Sequence, residues 1–285
     1  MKPVIRRRAH GSRMCAAPLL AAVGCVLVLA VAGCSRSSGS SGAQAREPSR
    51  PAAGPTFTVM QMNLCLSGLA GCYEKVAYPA AVDEAVARIR EAHPDAVTVN
   101  ETCRTDVERI ARRTGYHLRF TRVIYRGELL RCVRPGRRGL FGDAVLTAAA
   151  IQSAQAEDFA TQAGLERRRW LCVTTRAGVD VCTAHLNTRS TVEVAGNDAQ
   201  CAELAALLAR RALARTVVFG GDVNRRHSCA PEGIWTRTDR SAHQAAGLQH
   251  VYGSDALRSP SARVVAAAHT DHDVLLVQAR FTPRR

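Results

Sequence analysis

The chain contains very little lysine and few aromatic residues. Of its 39 basic residues only Lys2 and Lys75 are lysine, and aromatic residues make up 5% of the sequence. There is no internal repeat, no Cys-x-x-Cys pair and no close group of cysteine and histidine. These absences disfavour a zinc site, and the scarcity of aromatic residues disfavours aromatic loops for binding lipid.

The basic residues are therefore almost all arginine. The net charge of the chain is +15, and an arginine guanidinium can bind a phosphate through two parallel hydrogen bonds. A polyanionic ligand is one explanation of this composition. A coding bias towards arginine on an ordinary solvated surface is the other, because the basic residues are spread along the chain.

Residues 1–33 have the pattern of an export signal. Basic residues precede an apolar stretch from Pro18 to Ala32 that is too short to span a membrane stably. Val31-Ala32-Gly33 then precedes Cys34 and resembles a bacterial lipobox. We therefore expect a signal peptide over residues 1–33, a lipid on Cys34, and a protein exported to the cell envelope or secreted. An ordinary signal peptide whose cleavage site precedes a cysteine is the alternative.

Two regions follow this signal. Residues 34–55 are rich in serine, glycine, alanine and proline, a composition that predicts a flexible tether, because it cannot form a core. Residues 56–285 are long enough for one large domain. We expect this domain to be a monomer, with its membrane contact made through the N-terminal lipid anchor.

Eight of the eleven cysteines belong to the domain. An even number in an exported domain suggests four disulfides. Trp170–Thr175 and Val179–Ala184 look like two strands joined by a turn, which places Cys172 opposite Cys182. The other pairings rest only on short loop spans. The predicted pairs are Cys65–Cys72, Cys103–Cys132, Cys172–Cys182 and Cys201–Cys229.

Strand and helix patterns alternate along the domain. A capping box at Thr105–Glu108 is expected to open a helix that Gly115 closes. Other predicted helices are Pro79–Ala92 and Asp198–Leu213, and the predicted strands include Phe57–Leu64, Ala96–Val99, Asp143–Ala148, Thr216–Phe219 and Val274–Phe281. The strands are more numerous than a simple doubly wound sheet needs, so we predict two packed sheets with helices outside.

Polar residues follow several of the predicted strands. They are Asn63, Glu101, His185, Asn187, Asp222, Asn224, Asp271 and His272. Taken singly, Asn63 is more typical of a turn and His185 of a core, whereas the carboxylate of Glu101 at the mouth of a buried strand needs a metal or a hydrogen-bond partner. Together they offer oxygen ligands for a hard cation and imidazoles for proton transfer. Mg²⁺ is the expected metal, with Mn²⁺ or Ca²⁺ as alternatives, and the set suits phosphoester hydrolysis.

With their flanking residues, these clusters resemble the motifs of the endonuclease/exonuclease/phosphatase superfamily, to which deoxyribonuclease I belongs. The motifs occur in order as Gln61-Met62-Asn63, Asn100-Glu101-Thr102, Gly142-Asp143-Ala144, Thr183-Ala184-His185-Leu186-Asn187, Gly220-Gly221-Asp222-Val223-Asn224 and Thr270-Asp271-His272. The resemblance implies a four-layered α/β sandwich, in which helices flank two packed mixed β-sheets and the site lies at one end.

The resemblance also implies a metal site and a role for each neighbouring residue. Glu101 would ligate the metal with Asn63 and Asp271, and Asp271 would also take part in catalysis.

In the same comparison, Asp222 and Asn224 would position the attacking water and the phosphate. His272 would act as a general base or a phosphate ligand. His185 would contact the scissile phosphate as an acid or hydrogen-bond donor, and Asn187 would bind the same phosphate.

The sequence departs from the family pattern at two positions. Gln249 stands where many members have an aspartate that orients the last histidine, and Asp143 adds a carboxylate near the site. We expect a metal-dependent phosphodiesterase, in the first place an endonuclease acting on nucleic acid. The alternatives are a phosphatase or sphingomyelinase-like lipid phosphodiesterase, and a non-catalytic envelope-binding protein that lost its chemistry through Gln249.

Overall fold

The computed structural model describes residues 55–282. The predicted signal peptide, Cys34 and nearly all of the predicted tether lie outside these residues. Among the described residues, no helix combines the length and the apolar character needed to cross a membrane.

The described chain contains two six-stranded β-sheets. The strands are β1 (Thr56–Asn63), β2 (Ala96–Cys103), β3 (His117–Arg122), β4 (Ile124–Tyr125), β5 (Glu128–Leu129), β6 (Phe141–Thr147), β7 (Ile151–Asp158), β8 (Glu166–Arg167), β9 (Arg169–Thr175), β10 (Val179–Ala184), β11 (Thr216–Asp222), β12 (Ile234–Thr238), β13 (Gln249–Ser254), β14 (Leu257–Val265) and β15 (Val274–Phe281). The first sheet has the order β14-β15-β1-β2-β6-β3, and the second has the order β12-β13-β11-β10-β9-β7. A small third sheet has the order β5-β4-β8.

The helices cover the outer faces of the two large sheets. They are α1 (Ala80–Ala92), α2 (Arg104–Thr114) and α3 (Val194–Ala212). Ile89 of α1 and Val107 of α2 share a core with the first sheet, and Leu204 of α3 shares a core with the second. A third core lies between the sheets and includes Val59, Val145, Val181, Val218 and Val277. The order helix, sheet, sheet, helix confirms the predicted four-layered sandwich.

The alternation of side chains along β1 shows how one strand serves two layers. Met60 and Met62 belong to the core under the helices, whereas Val59 belongs to the core between the sheets. Gln61 faces the second sheet, where a Cβ added to Gly220 would come within 2.2 Å of Thr98 Oγ1 and 3.3 Å of Gln61 Oε1. Only glycine fits at this close approach of the sheets.

The disulfide prediction is confirmed in full. The pairs are Cys65–Cys72, Cys103–Cys132, Cys172–Cys182 and Cys201–Cys229. Cys172 and Cys182 are direct cross-strand partners in the β9–β10 hairpin, with their Cα atoms 4.0 Å apart.

The predicted capping box is wrong. Helix α2 begins at Arg104, its N-cap residue is Cys103, and no side chain caps it. Its first backbone N–H groups are instead bound by carbonyls of a neighbouring loop: Arg104 N donates to Leu140 O at 2.8 Å, and Thr105 N donates to Arg138 O at 3.1 Å. The C-terminal prediction holds, because Gly115 ends the helix in a left-handed conformation.

Candidate active site

The strand ends that carry the predicted polar residues meet at one end of the sandwich. β1 runs parallel to β2, and β10 runs parallel to β11, so the residues that follow these strands reach the same edge. There they surround a cavity of about 600 Å³. Its lining includes Glu101, His185, Asp222, Asn224 and His272.

Glu101 is held at the cavity by a bulge in β2. The pairing of β2 with β6 shifts register between Val99 and Thr102, and Glu101 has a φ of 53°, in the left-handed region. Burial raises the pKa of Glu101 to about 7. The hydrogen bond from Asn63 lowers this pKa, whereas the nearby carboxylates of Glu166 and Asp222 raise it further. A buried carboxylate with this surplus of neighbouring negative charge is suited to a cation.

Asn63 bridges two carboxylates. Its Nδ2 donates to Glu101 Oε1 at 2.9 Å and to Asp222 Oδ2 at 3.1 Å, while its Oδ1 accepts from Cys65 N at 3.1 Å. The amide oxygen is therefore already engaged, and the amide nitrogen faces the carboxylates. These contacts position Glu101 and Asp222, and the role of Asn63 as a metal ligand stays a prediction.

His185 is a neutral imidazole held from behind by Arg168. The Arg168 guanidinium, which can only donate, lies with Nη1 3.0 Å from Nδ1 of His185, and the amide nitrogen of Asn224 lies 3.0 Å from Nε2, so each ring nitrogen faces a donor group. Burial, Arg168 and His272 hold the pKa of His185 well below its usual value. Its Nε2 lies 3.9 Å from both Glu101 Oε1 and Asp222 Oδ2 and faces the cavity between them.

His272 approaches the same carboxylate from the other side. Its Nε2 lies 3.6 Å from Asp222 Oδ2, so the two predicted histidines converge on one oxygen. Its Nδ1 is buried and has no hydrogen-bond partner within residues 55–282. Gln249 does not fill this position, because its Nε2 donates to Asp273 O at 2.6 Å and to Asp239 Oδ2 at 3.3 Å.

Asp222 and Asn224 form a tight turn after β11. Asn224 has a φ of 52°, and its backbone N–H donates to Asp222 Oδ1 at 2.9 Å. Its side-chain amide lies 3.0 Å from His185 Nε2 and donates to Leu186 O at 2.9 Å. Asn224 thus connects the ends of β10 and β11.

Two other predicted residues lie behind the cavity. Asn187 is fully buried, donates to Ala163 O at 2.8 Å and accepts a hydrogen bond from Gln200 Nε2. Both polar atoms of its side chain are thus engaged by the protein, and the phosphate contact of Asn187 stays a prediction. Asp271 is partly exposed and does not belong to the cavity lining.

Glu101 and Asp271 carry the oxygen donors that a hard cation prefers, but only Glu101 lines the cavity. Glu101 offers a buried carboxylate oxygen, and Asp271 Oδ1 is buried with no hydrogen-bond partner among the described residues. Cys65 and Cys72 also lie beside Glu101 in a potential ligand group, but their sulfurs form a disulfide. They offer no thiolate, so a soft-metal site is disfavoured.

The roles of two further residues of the site are not evident from sequence patterns. Arg168 is only 5% exposed and lies inside a run of three arginines, a pattern that indicates a solvated surface. Side chains alternate in direction along β8 and β9, so the Arg168 side chain points inward and those of its two neighbours point the other way. Asn100 was noted only as a neighbour of Glu101, yet its Oδ1 accepts the backbone N–H of Asp222 at 2.8 Å.

Comparisons with known proteins agree with this geometry. The model of the Endonuclease/Exonuclease/phosphatase family matches residues 69–272. No curated protein matches the chain significantly. Among solved structures, the human Nocturnin catalytic domain with bound sulfate has a TM-score of 0.60 and 14% identity, covering 80% of this chain and 94% of that one.

Two further solved structures show the same fold. An endonuclease/exonuclease/phosphatase from Beutenbergia cavernae has a TM-score of 0.59 and 19% identity, covering 79% of this chain and 72% of that one. D. rerio TDP2, complexed with single strand DNA product, has a TM-score of 0.53 and 12% identity, covering 79% of this chain and 99% of that one.

Proposed function

Because the chain belongs to the endonuclease/exonuclease/phosphatase family, we propose that it is an exported phosphodiesterase that depends on a divalent metal, with Mg²⁺ as the expected ion. Members of this family are hydrolases that act on phosphodiester bonds and are generally metal-dependent. The observation that supports this proposal most directly is the convergence of His185 and His272 on Asp222, beside the buried Glu101.

The residues divide the work of hydrolysis by their positions. A divalent cation held by Glu101 would neutralise a phosphate oxygen. Asp222 lies within reach of His272 and is placed, with Asn224, to orient a water molecule for in-line attack. In this proposal His272 accepts a proton from that water, and His185 acts at the phosphate or leaving-group oxygen as an acid or hydrogen-bond donor.

Nucleic acid is the first substrate to test. The arginine content of the chain favours a phosphate-rich ligand, and the structurally similar D. rerio TDP2 was solved with a single strand DNA product. An endonuclease should convert supercoiled plasmid to nicked circles.

The test uses purified protein with bis(p-nitrophenyl) phosphate and with supercoiled plasmid. Mg²⁺, Mn²⁺ and Ca²⁺ are supplied in turn, and chelator is added in excess to matched samples. We expect turnover with metal and none with chelator. Full activity in chelator would refute the metal mechanism, and inactivity towards both substrates under every metal would favour a non-catalytic binding protein.

We also propose that the lipobox-like sequence ending at Cys34 anchors the exported protein to the cell envelope. Fractionation of cells that express the full chain tests this. The unaltered chain should sediment with membranes, and Cys34→Ala should either block processing or release the protein. An unchanged membrane fraction in Cys34→Ala would exclude a lipid anchor at this residue.

A further inference from the structure

Exposed aliphatic side chains line the mouth of the active-site cavity. Leu69, Leu165 and Val192 belong to the cavity lining and are 55%, 53% and 78% exposed. They come from three separate loops that meet at the opening. We call these three residues the aliphatic rim.

Two more exposed aliphatic residues flank the rim. Leu129 precedes Leu130, which lines the cavity, and Val133 donates its N–H to the carbonyl of the cavity residue Ser67 at 2.9 Å. Only one other large hydrophobic side chain is strongly exposed within residues 55–282, that of Leu213 beyond α3. Exposed aliphatic surface is thus concentrated at one opening, which indicates a binding function.

The interior of the cavity is acidic. Its lining carries the carboxylates of Glu101, Glu166, Glu193 and Asp222, and its one guanidinium, Arg168, is bound to Glu166 at 2.7 Å and to His185. A polynucleotide presents a phosphate at every step and needs many cations along its path. A single divalent cation can neutralise one phosphodiester, so this cavity suits a ligand with one such group.

Cations lie outside the cavity, beside the aliphatic residues. Arg126, Arg131 and Arg137 are exposed, and none of them makes an ion pair with another described residue. They belong to the same segment as Leu129 and Val133. Exposed aliphatic side chains interspersed with arginine are typical of surfaces that insert into the interface of an anionic membrane.

We propose that the substrate is the phosphodiester of a membrane lipid, reached while the aliphatic rim contacts the acyl region and the arginines contact anionic headgroups. This inference rests on the proposed phosphodiesterase activity and names its substrate. The oxygen of water bonds to phosphorus, one phosphorus–oxygen ester bond breaks, and a proton passes to the released alkoxide. The products are a phosphate monoester and an alcohol.

The test compares three substrates: phosphatidylcholine vesicles with and without phosphatidylglycerol, bis(p-nitrophenyl) phosphate, and supercoiled plasmid. The rim variant is Leu69→Ser/Leu165→Ser/Val192→Ser. Leu213→Ser is the matched control, because Leu213 is 90% exposed and does not line the cavity. Leu165→Met, which keeps an apolar side chain at the rim, is the conservative variant.

We expect hydrolysis of vesicle lipid, faster with phosphatidylglycerol. The ratio of vesicle to soluble turnover should fall by about tenfold or more in the rim variant and stay unchanged in Leu213→Ser and Leu165→Met. Hydrolysis of plasmid and soluble ester without hydrolysis of lipid would overturn the inference and leave a nuclease. An unchanged ratio in the rim variant would also overturn it. Absence of activity on all three substrates would defeat the proposed phosphodiesterase function itself, and this inference with it.

Discussion

Glu101, the proposed metal ligand, is a buried carboxylate at which a proton would compete with the metal ion. Burial raises its pKa to about 7, so below that pH the metal must displace a proton. Apparent metal affinity should therefore rise by about tenfold for each pH unit up to pH 7 and then level off. Calorimetric titration with Mn²⁺ across this range measures the slope.

Glu101→Gln is the control for this prediction. The amide cannot titrate, so the pH slope should flatten, and affinity and metal-dependent turnover should fall by about two orders of magnitude. A metal affinity of the unaltered protein that did not change below pH 7 would show that Glu101 is not a ligand.

The two histidines are expected to be indispensable for turnover but not for folding. His185→Ala and His272→Ala should each lower turnover on a soluble phosphodiester by about two to four orders of magnitude, as expected for a lost acid or base. Circular dichroism and urea unfolding check that both variants fold. Full activity in His272→Ala would remove that residue from the mechanism.

At the level of elements, regular patterns were predicted well and interruptions were not. The periodicity of α1 placed the helix at Pro79–Ala92, within one residue of its actual start. Strand β2 was expected to end at Val99 but continues to Cys103 through the bulge that aims Glu101. Strand β7 was missed, because this edge strand is mostly exposed and lacks an apolar pattern.

The paired cysteines are separated by different numbers of residues. Removing each disulfide should therefore lower the free energy of unfolding by a different amount. Cys201–Cys229 links α3 to the loop after β11 across 28 residues, whereas Cys172–Cys182 closes a hairpin of 10. In the chain-entropy model the longer loop contributes about 4 kcal/mol and the shorter about 3 kcal/mol. Urea unfolding of the two Cys→Ala double variants should therefore show the larger loss for Cys201–Cys229. A larger loss for the hairpin pair would contradict this account.

For the whole molecule, the sequence predicts which strand ends meet but not which hydrogen bonds their side chains form. Parallel strands bring Asn63, Glu101 and Asp222 to one edge, and this follows from topology alone. The side-chain amides of Asn63 and Asn187 form hydrogen bonds with protein partners. These partners lie in loops and in α3, and no local sequence pattern predicts how those segments pack. The inward turn of Arg168 was hidden for the same reason.

A buried polar network joins the two sheets beneath the site, with Asn100 at its centre. Its Oδ1 accepts from Gln61 Nε2 at 2.8 Å and from the backbone N–H of Asp222 at 2.8 Å. Its Nδ2 donates to Asp143 Oδ1 at 2.9 Å and to Thr183 Oγ1 at 3.4 Å. Gln61 and Asp143 belong to the first sheet, and Thr183 and Asp222 to the second.

Removal of this amide should therefore affect stability and turnover together. Asn100→Ala leaves the N–H of Asp222 without its partner and removes one of the two donors to Asp143 Oδ1, which should cost about 3 kcal/mol of unfolding free energy. Turnover on a soluble phosphodiester should fall as well, because Asp222 is no longer fixed against His185 and His272.

Thr183→Val is the matched control. It keeps the shape of the side chain and removes only the longest of the four hydrogen bonds, so it should cost about 1 kcal/mol of unfolding free energy or less. If urea unfolding gave equal losses for the two variants, Asn100 would not be what couples the sheets to the site.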